Sequence, residues 1–199
     1  MNLGDLTTLV RELLADEVNF IVTDSTLNAG QTWSASQYQE ACNFAVKLYC
    51  QKKGVSYAED AKTVTSGYIS KPSDHLEITR VVYDGEELAK STMAFEYLKS
   101  PTWTSATATA PKRWVDFSGL TIRLAPTTTT YASCTVGYIE MPTLLASSVS
   151  IIDTRIPPEH CEFLKYAAAA YLLKYKTDQD SIAREQAYMA TFNQLIGVA

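Results

Sequence analysis

The sequence predicts an α+β fold: a helical bundle formed by N- and C-terminal helices, with an inserted antiparallel β section. Apolar residues recur with helical spacing near both ends of the chain, whereas a period of two predominates in the middle. Turn dipeptides such as Asp84-Gly85 and Ser118-Gly119 separate the middle runs, as they do in β-hairpins. We therefore expect residues 1–58 to begin the helical body, residues 59–152 to form the β section with one short helix, and residues 153–199 to complete the body.

The first helix is predicted from a single apolar stripe. Its large apolar residues are three or four positions apart, which places them on one helix face. They are Leu6, Leu9, Val10, Leu13 and Leu14. A polar segment at 23–32 follows and indicates a connection.

The second helix has recognisable start and stop signals. Ser34 followed three residues later by Gln37 has the pattern of a capping box, and Trp33 and Tyr38 occupy the positions of a hydrophobic staple. Gly54 follows two lysines, which is typical of a helix C-terminus because glycine readily adopts the left-handed conformation there. The pattern predicts a helix that ends just before Gly54.

The middle of the chain is predicted to hold strands, turns and one short helix. Strands are expected over 63–70, 76–83, 113–117 and 120–124, with a last strand that places Cys134, Val136 and Tyr138 on one face. Ser91 is the expected N-cap of a short helix that continues to Lys99. Hydroxyl-rich stretches at 102–110 and 127–133 predict loops.

The C-terminal segment predicts two helices that pack as a hairpin. Pro158 suits the first turn of a helix, where no backbone N–H is needed, and the alanine run at 167–170 permits close approach of a neighbouring element. A capping-box-like sequence at 177–180 separates the two helices. The last helix is expected to face its core with Ile182, Met189, Phe192 and Ile196.

Length, charge and cysteine usage restrict the class of protein. The 199 residues carry a formal net charge of −5, which argues against a protein that works mainly by neutralising phosphates. No apolar run is long enough to predict a membrane span, and the N-terminus lacks the pattern of a signal peptide, so we expect no membrane association. The four cysteines contain no CxxC pair and are expected to be reduced, buried thiols.

No residue pattern indicates catalysis or a cofactor. The only histidines are His75 and His160, and each is expected to be a hydrogen-bonded or surface residue rather than a base. Carboxylate pairs such as Glu59-Asp60 lie at predicted turns or helix ends, where local backbone reasons explain them. We therefore expect no enzyme activity, no metal and no cofactor.

Twelve tyrosines and three tryptophans are many for this length, and aromatic residues are favoured at interfaces.

Several short motifs follow one another in a fixed order along nearly the whole chain. The first motif is a strand pair that contains a lysine–proline step, an aspartate and an arginine–valine step. It is followed by a proline before an aromatic residue, then by a turn glycine, and then by a strand that ends in proline. An isoleucine–proline pair then leads into an alanine-rich helix. These residues are Lys71, Pro72, Asp74, Arg80, Val81, Pro111, Trp114, Gly119, Pro126, Tyr138, Pro142, Leu145, Ile156, Pro157 and His160. Their order resembles that of tailed-bacteriophage head-to-tail connector (adaptor) proteins.

The resemblance implies a structural virion protein of the phage neck that carries out no covalent chemistry. Such proteins form a homo-oligomeric ring, typically of twelve copies, between the portal protein and the tail or nozzle protein. The ring extends the channel through which genomic DNA passes without specific recognition, and it provides the platform for tail attachment. The implied location is the virion, reached by assembly in the host cytoplasm.

Two contact surfaces are expected on this basis. The apolar end of the last helix, with Phe192, Leu195 and Ile196, is expected to contact the portal. The loop 102–110, which begins with Thr102, Trp103 and Thr104, is expected to contact a neighbouring subunit or the tail.

Three alternatives stay open at this point. In the first, the chain is a head-completion stopper or another neck or tail protein. In the second it is a phage-associated hydrolase that uses His75 or His160 with a carboxylate. In the third it is a helix-plus-sheet binding module of cellular origin.

Overall fold

The chain folds into two compact units, and helices together with sheets that are antiparallel except for one parallel strand pair confirm the α+β class. The helical unit comprises residues 1–56 and 142–199, and the β unit comprises residues 57–141. The computed structural model describes residues 1–14, 33–108, 110–128 and 133–197. The connection predicted at 23–32 lies outside these residues.

Helices begin and end the described chain, and strands lie between them. The helices are α1 (Leu3–Leu14), α2 (Ala35–Lys53), α3 (Met93–Lys99), α4 (Pro158–Cys161), α5 (Leu164–Leu173) and α6 (Gln179–Leu195). The strands are β1 (Tyr57–Lys62), β2 (Val64–Thr65), β3 (Tyr68–Ser70), β4 (His75–Tyr83), β5 (Glu86–Glu87), β6 (Ala89–Ser91), β7 (Arg113–Asp116), β8 (Thr121–Ala125) and β9 (Cys134–Glu140).

Helix α2 begins and ends as the sequence predicts. Ser34 Oγ accepts a hydrogen bond from Gln37 N at 3.3 Å, and Gln37 Oε1 accepts one from Ser34 N at 2.8 Å, which completes the capping box. The rings of Trp33 and Tyr38 meet edge to face with centroids 6.3 Å apart. Gly54 has a φ of 62° and donates its N–H to the Cys50 carbonyl at 2.8 Å, so the predicted end of the helix is confirmed.

Helix α5 forms the centre of the helical unit. It packs against α1, α2 and α6, and the whole alanine run at 167–170 is buried. A helix with neighbours on several sides exposes little of its surface, and methyl side chains let those neighbours approach closely. The apolar stripe of α1 contributes Leu6 and Val10 to the same interior.

Two details of the C-terminal helices differ from the prediction. The helix expected to continue from Pro158 is interrupted at 162–163, so that α4 and α5 are separate. Ile182, expected in the core, is exposed, whereas Phe192 and Ile196 are buried. Ile182 is the only large apolar residue in the first half of α6, and one such residue does not define a buried face.

The β unit contains two sheets that share a core. The first sheet has the strand order β1-β9-β4-β5, and the second has the order β2-β3-β8-β7-β6. The chain passes from the first sheet to the second across the single residues Thr63 and Leu88, as strands do at the corners of packed sheets. Both sheets contribute to one buried cluster, which includes Val81, Val136 and Tyr138 from the first and Trp114, Ile122 and Leu124 from the second.

The run predicted as one strand at 63–70 is a tight hairpin. Ser66 and Gly67 both have positive φ, of 50° and 78°, as a two-residue type I′ turn requires. Val64 and Ile69, which simple alternation assigns to opposite faces, therefore pair across the turn and are both buried.

Two further differences concern a strand that was not predicted and the residue that caps a helix. Strand β1 is absent from the prediction because its sequence, YAEDAK, is poor in β-branched residues. Thr92, not Ser91, caps α3: Thr92 Oγ1 accepts a hydrogen bond from Phe95 N at 3.2 Å, while Ser91 donates to Glu96. The predicted strand pair around Ser118-Gly119 is confirmed as the β7–β8 hairpin.

Candidate interaction surfaces

Helix α3 presents large apolar side chains to solvent. Met93, Phe95, Tyr97 and Leu98 are 49%, 54%, 61% and 86% exposed. Their positions spread around the helix axis, so one sheet cannot bury them all. Clustered exposed apolar side chains on a folded protein mark interaction sites.

Glu96 attaches α3 to the second sheet. Its carboxylate accepts hydrogen bonds from Arg113 Nε at 2.6 Å, from Arg113 Nη2 at 3.1 Å and from Ser91 Oγ at 2.6 Å. The Glu96 side chain is buried, and its bonds to Arg113 lower the pKa of the carboxyl below its usual value. A polar side chain thus holds the helix in place while the apolar side chains point away.

An open groove of about 570 Å³ runs beside the helix. Met93, Tyr97 and Leu98 line it from α3, and Trp103, Thr104 and Phe117 line it from the other side. We refer to these six residues as the α3 groove. A concave apolar surface with an exposed apolar margin can accept a protruding side chain from a partner.

Trp103 forms part of the floor of the groove. It is buried in a small cluster with Val115, Ala125 and Phe117. Val115 and Ala125 alternate along β7 and β8 with residues of the main core, so this cluster lies on the outer face of the second sheet. Of the three residues predicted here as contacts, Thr102 and Thr104 are exposed and Trp103 is not.

Arg123 ties the loop that carries Trp103 to the sheet. Its Nη2 donates to the Thr104 carbonyl and, at 3.3 Å, to Thr127 Oγ1. The guanidinium lies 4.3 Å from the ring centroid of Tyr68 and 5.6 Å from that of Trp103, and burial lowers its pKa. The described part of the loop is therefore ordered within the chain, while residues 109 and 129–132 lie outside the described ranges.

The end of α6 holds the other predicted contact residues, and it belongs to the helical unit. Phe192 and Ile196 are buried, whereas Leu195 is 41% exposed. The Ile196 carbonyl accepts a hydrogen bond from Lys53 Nζ at 3.0 Å, which fixes the helix end against α2. Leu195 is the one of the three whose side chain a partner can reach without unpacking the unit.

The two histidines make local contacts. His160 Nδ1 lies 2.5 Å from Tyr49 Oη, and His75 Nδ1 lies 2.6 Å from the Pro72 carbonyl. Within the described ranges, neither ring is hydrogen-bonded to a carboxylate. A histidine base held in position by a carboxylate is therefore not formed by these residues.

The cysteines are free and buried. Burial raises the pKa of the Cys42 thiol to about 12 and that of Cys134 to about 11, so both are protonated and poorly nucleophilic near neutral pH. In the part of the chain that the structure describes, no group of three or more His, Cys, Asp or Glu side chains is arranged to hold a metal ion. None of the described helices combines the length and apolar character needed to cross a bilayer.

A family model described as SU10 adaptor protein matches residues 1–199. The chain belongs to the SU10 adaptor family. This is a family of phage head-to-tail adaptors, so the resemblance found in the sequence is confirmed, and a structural role in the phage virion follows. A comparison with curated protein sequences finds no match.

Sequence reasoning missed the exposed face of α3 in this adaptor. It predicted the short helix but assigned no site to it. The available signal was the spacing of four large apolar residues, because positions 93, 95, 97 and 98 cannot share one face of a seven-residue helix.

Proposed function

We propose that this adaptor is a head-to-tail connector whose copies form a ring, of twelve as in similar proteins, between the portal and the tail or nozzle protein. The observation that carries the proposal is the family match, which spans the whole chain rather than one of its two units. The exposed apolar side chains of α3 support it, because a subunit that functions only when assembled keeps such surfaces for its partners.

In this proposal the function of the ring is geometric. It extends the DNA channel below the portal, helps to retain the packaged genome and offers the tail a platform in the neck of the virion. The net charge of −5 supports passage of DNA without adhesion, since phosphates are repelled by an acidic protein.

The contacts divide between the two units. Leu195, the exposed residue at the end of α6, belongs to the proposed portal contact, with Phe192 and Ile196 supporting it from the core. Thr102 and Thr104 belong to the proposed contact with a subunit or the tail, with Trp103 beneath them.

The proposed function includes no chemical step. The local hydrogen bonds of His75 and His160 support this. A chain carrying His75→Ala and His160→Asn is expected to assemble like the wild type. Loss of a measurable hydrolytic activity in that variant, with assembly intact, would instead favour the hydrolase.

Mixing the purified chain with the portal protein of the same phage tests the ring directly. Negative-stain electron microscopy is expected to show a second ring stacked on the portal. Portal particles without added density, together with binding of the chain to tail components alone, would favour another neck or tail protein.

A further inference from the structure

One buried side chain holds the wall of the α3 groove that lies opposite the helix. Trp103, Thr104 and Phe117 form this wall. The guanidinium of Arg123 lies 5.6 Å from the ring centroid of Trp103 and 5.7 Å from that of Phe117. Its Nη2 donates a hydrogen bond to the Thr104 carbonyl. Every residue of this wall therefore contacts Arg123, whereas α3 on the other side is attached through Glu96.

Strand pairing fixes the position of Arg123. Its neighbours in β8, Ile122 and Leu124, belong to the core between the sheets, so Arg123 lies on the outer face of the second sheet. Its cross-strand partners are Tyr68 on β3 and Val115 on β7. The guanidinium lies 4.3 Å from the ring centroid of Tyr68, so β3 also restricts its orientation. The sheet therefore provides a fixed cation against which the loop is placed.

The charge of Arg123 is buried without a counter-ion. The residue is 5% exposed, and within the described ranges its Nε has no hydrogen-bond partner and no residue forms an ion pair with it. An unpaired buried charge costs free energy, and an apolar side chain of similar length would cover this face without that cost. What the guanidinium adds is a flat group with donors in fixed directions, which holds the rings and the Thr104 carbonyl in one arrangement.

Few other hydrogen bonds fix the loop at this point. Ala106 and Ala108 form backbone hydrogen bonds of 2.9 Å with Thr127, which secure the far end of the loop. In the part of the chain that the structure describes, residues 102–105 are hydrogen-bonded to β8 and the residues after it only through Arg123 and the Thr127 hydroxyl. Without Arg123, the start of the loop would keep the packing of its tryptophan but lose its main polar attachment.

We propose that Arg123 is the positioning residue of the α3 groove: it fixes the wall opposite α3 before assembly, so that the loop presents one arrangement to its partner. A surface that is already ordered loses less conformational freedom when it binds, and this raises affinity. The inference rests on the proposed function, because the loop that Arg123 fixes is the one whose residues Thr102 and Thr104 are proposed to contact a subunit or the tail.

Two substitutions of Arg123 separate its hydrogen bonds from its charge. Arg123→Met keeps an unbranched apolar side chain and removes both the charge and the donors, whereas Arg123→Lys keeps the charge and removes the flat guanidinium. Ile122→Val and Ile122→Ala are the matched controls, since the preceding residue of the same strand faces the core and these changes lower stability to two different degrees. Circular dichroism and thermal unfolding establish the temperature range in which every variant is folded.

Amide hydrogen exchange of the chain alone measures whether the wall is held. We expect residues 103–106 to exchange about tenfold faster in both Arg123 variants, while β4 and β9 stay as protected as in the wild type. The Ile122 controls should leave the exchange of residues 103–106 unchanged, because they do not touch the loop.

Formation of complexes that contain the portal, the chain and the tail protein measures the consequence for assembly. This readout requires both the subunit contacts and the tail contact, and sedimentation velocity with negative-stain microscopy records it. We expect Arg123→Met to require about tenfold more chain for the same yield of complexes, with Arg123→Lys between it and the wild type. The Ile122 controls should assemble normally below their melting temperatures, which distinguishes positioning from a general loss of stability.

Three results would overturn the inference. Unchanged exchange of residues 103–106 in Arg123→Met would show that this side chain does not hold the wall. Faster exchange with an unchanged yield of complexes would show that the position of the wall does not matter for contact. An equal loss of complexes in the Ile122 controls would reduce Arg123 to a structural role. Failure of the wild-type chain to form any complex would instead overturn the proposed function, and the exchange comparison, which needs no partner, would still test the wall.

Discussion

The helical unit and the β unit use their apolar residues differently. In the helical unit, α5 is surrounded by its neighbours and even its alanines are buried, so the apolar side chains of this helix serve stability, whereas Val149 and Ile151 of the same unit are exposed. The β unit has a comparable core between its sheets, but it also keeps a second apolar surface on α3, outside the second sheet. That surface is attached by a buried ion pair rather than by apolar packing, which leaves its apolar side chains available to a partner.

Truncating a core side chain in the helical unit is expected to have the largest effect. Phe192→Ala should lower the free energy of unfolding by about 3–5 kcal/mol, because the cavity is lined by packed neighbours. Leu195→Ala, three residues away and half exposed, should change it by no more than about 0.5 kcal/mol. Urea denaturation of both variants measures the difference. Equal losses would mean that the end of α6 is not divided into a buried and an exposed side.

Removing the charge that anchors α3 is expected to cost less. Glu96→Gln should lower the stability of the β unit by about 1.5–3 kcal/mol at pH 7, because bonds to a charged partner are lost. The pKa of Glu96 is lower in the folded than in the unfolded chain. Its contribution is therefore fully present above the unfolded pKa of roughly 4.3 and is lost as the pH falls through the folded pKa.

The stability difference between wild type and Glu96→Gln should accordingly shrink on acidification below about pH 4. Denaturation curves at pH 7 and pH 3 provide the comparison. Glu87→Gln, which removes a carboxylate that pairs with Arg80 on the surface, is the control and should cost about 0–1 kcal/mol. A Glu96 difference that stays constant with pH would contradict the proposed anchor.

Overpacking the centre of the helical unit should cost about 1–3 kcal/mol. Ala168→Leu adds three carbon atoms to a site with no solvent exposure, and the neighbouring helices must move apart. Ala183→Leu makes the same change on the exposed side of α6 and should be nearly neutral. The difference in melting temperature between the two variants reports how tightly α5 is enclosed.

The smallest effect on stability is expected where the proposed effect on assembly is large. Leu98→Ser removes the most exposed apolar side chain of α3 and should change the free energy of unfolding by no more than about 0.5 kcal/mol. The same variant should associate more weakly in sedimentation velocity. A large loss of stability without loss of assembly would mean that Leu98 supports the fold of the β unit rather than contact with a partner.

Elements with strong local signals could be predicted from the sequence. The capping box of α2, its terminal glycine and the β7–β8 hairpin depend on contacts within a few residues, and all three are present. The hairpin at 64–69 and the strand β1 could not be predicted. Their strand character comes from pairing with β8 and β9, which lie more than fifty residues away in the chain.

The candidate site could be predicted only in part. The sequence indicated the loop at 102–110, but it could not show that Trp103 is buried on the sheet while α3, ten residues earlier, is exposed. The side of α3 that faces the sheet is set by the contact between Glu96 and Arg113, which are seventeen residues apart in the chain. The helical spacing of α6 predicts the burial of Phe192 and Ile196, which is confirmed, but it also predicts the burial of Ile182, which is wrong.

Amide hydrogen exchange of the chain alone and of the chain assembled on the portal tests most directly whether the β unit holds its apolar α3 surface for a partner. Residues 93–104 should exchange at least tenfold more slowly after assembly, while α5 should be protected in both states because it is already enclosed. Exchange at 93–104 that is unchanged by assembly, with protection gained only elsewhere, would contradict the assignment of the α3 groove as a contact surface.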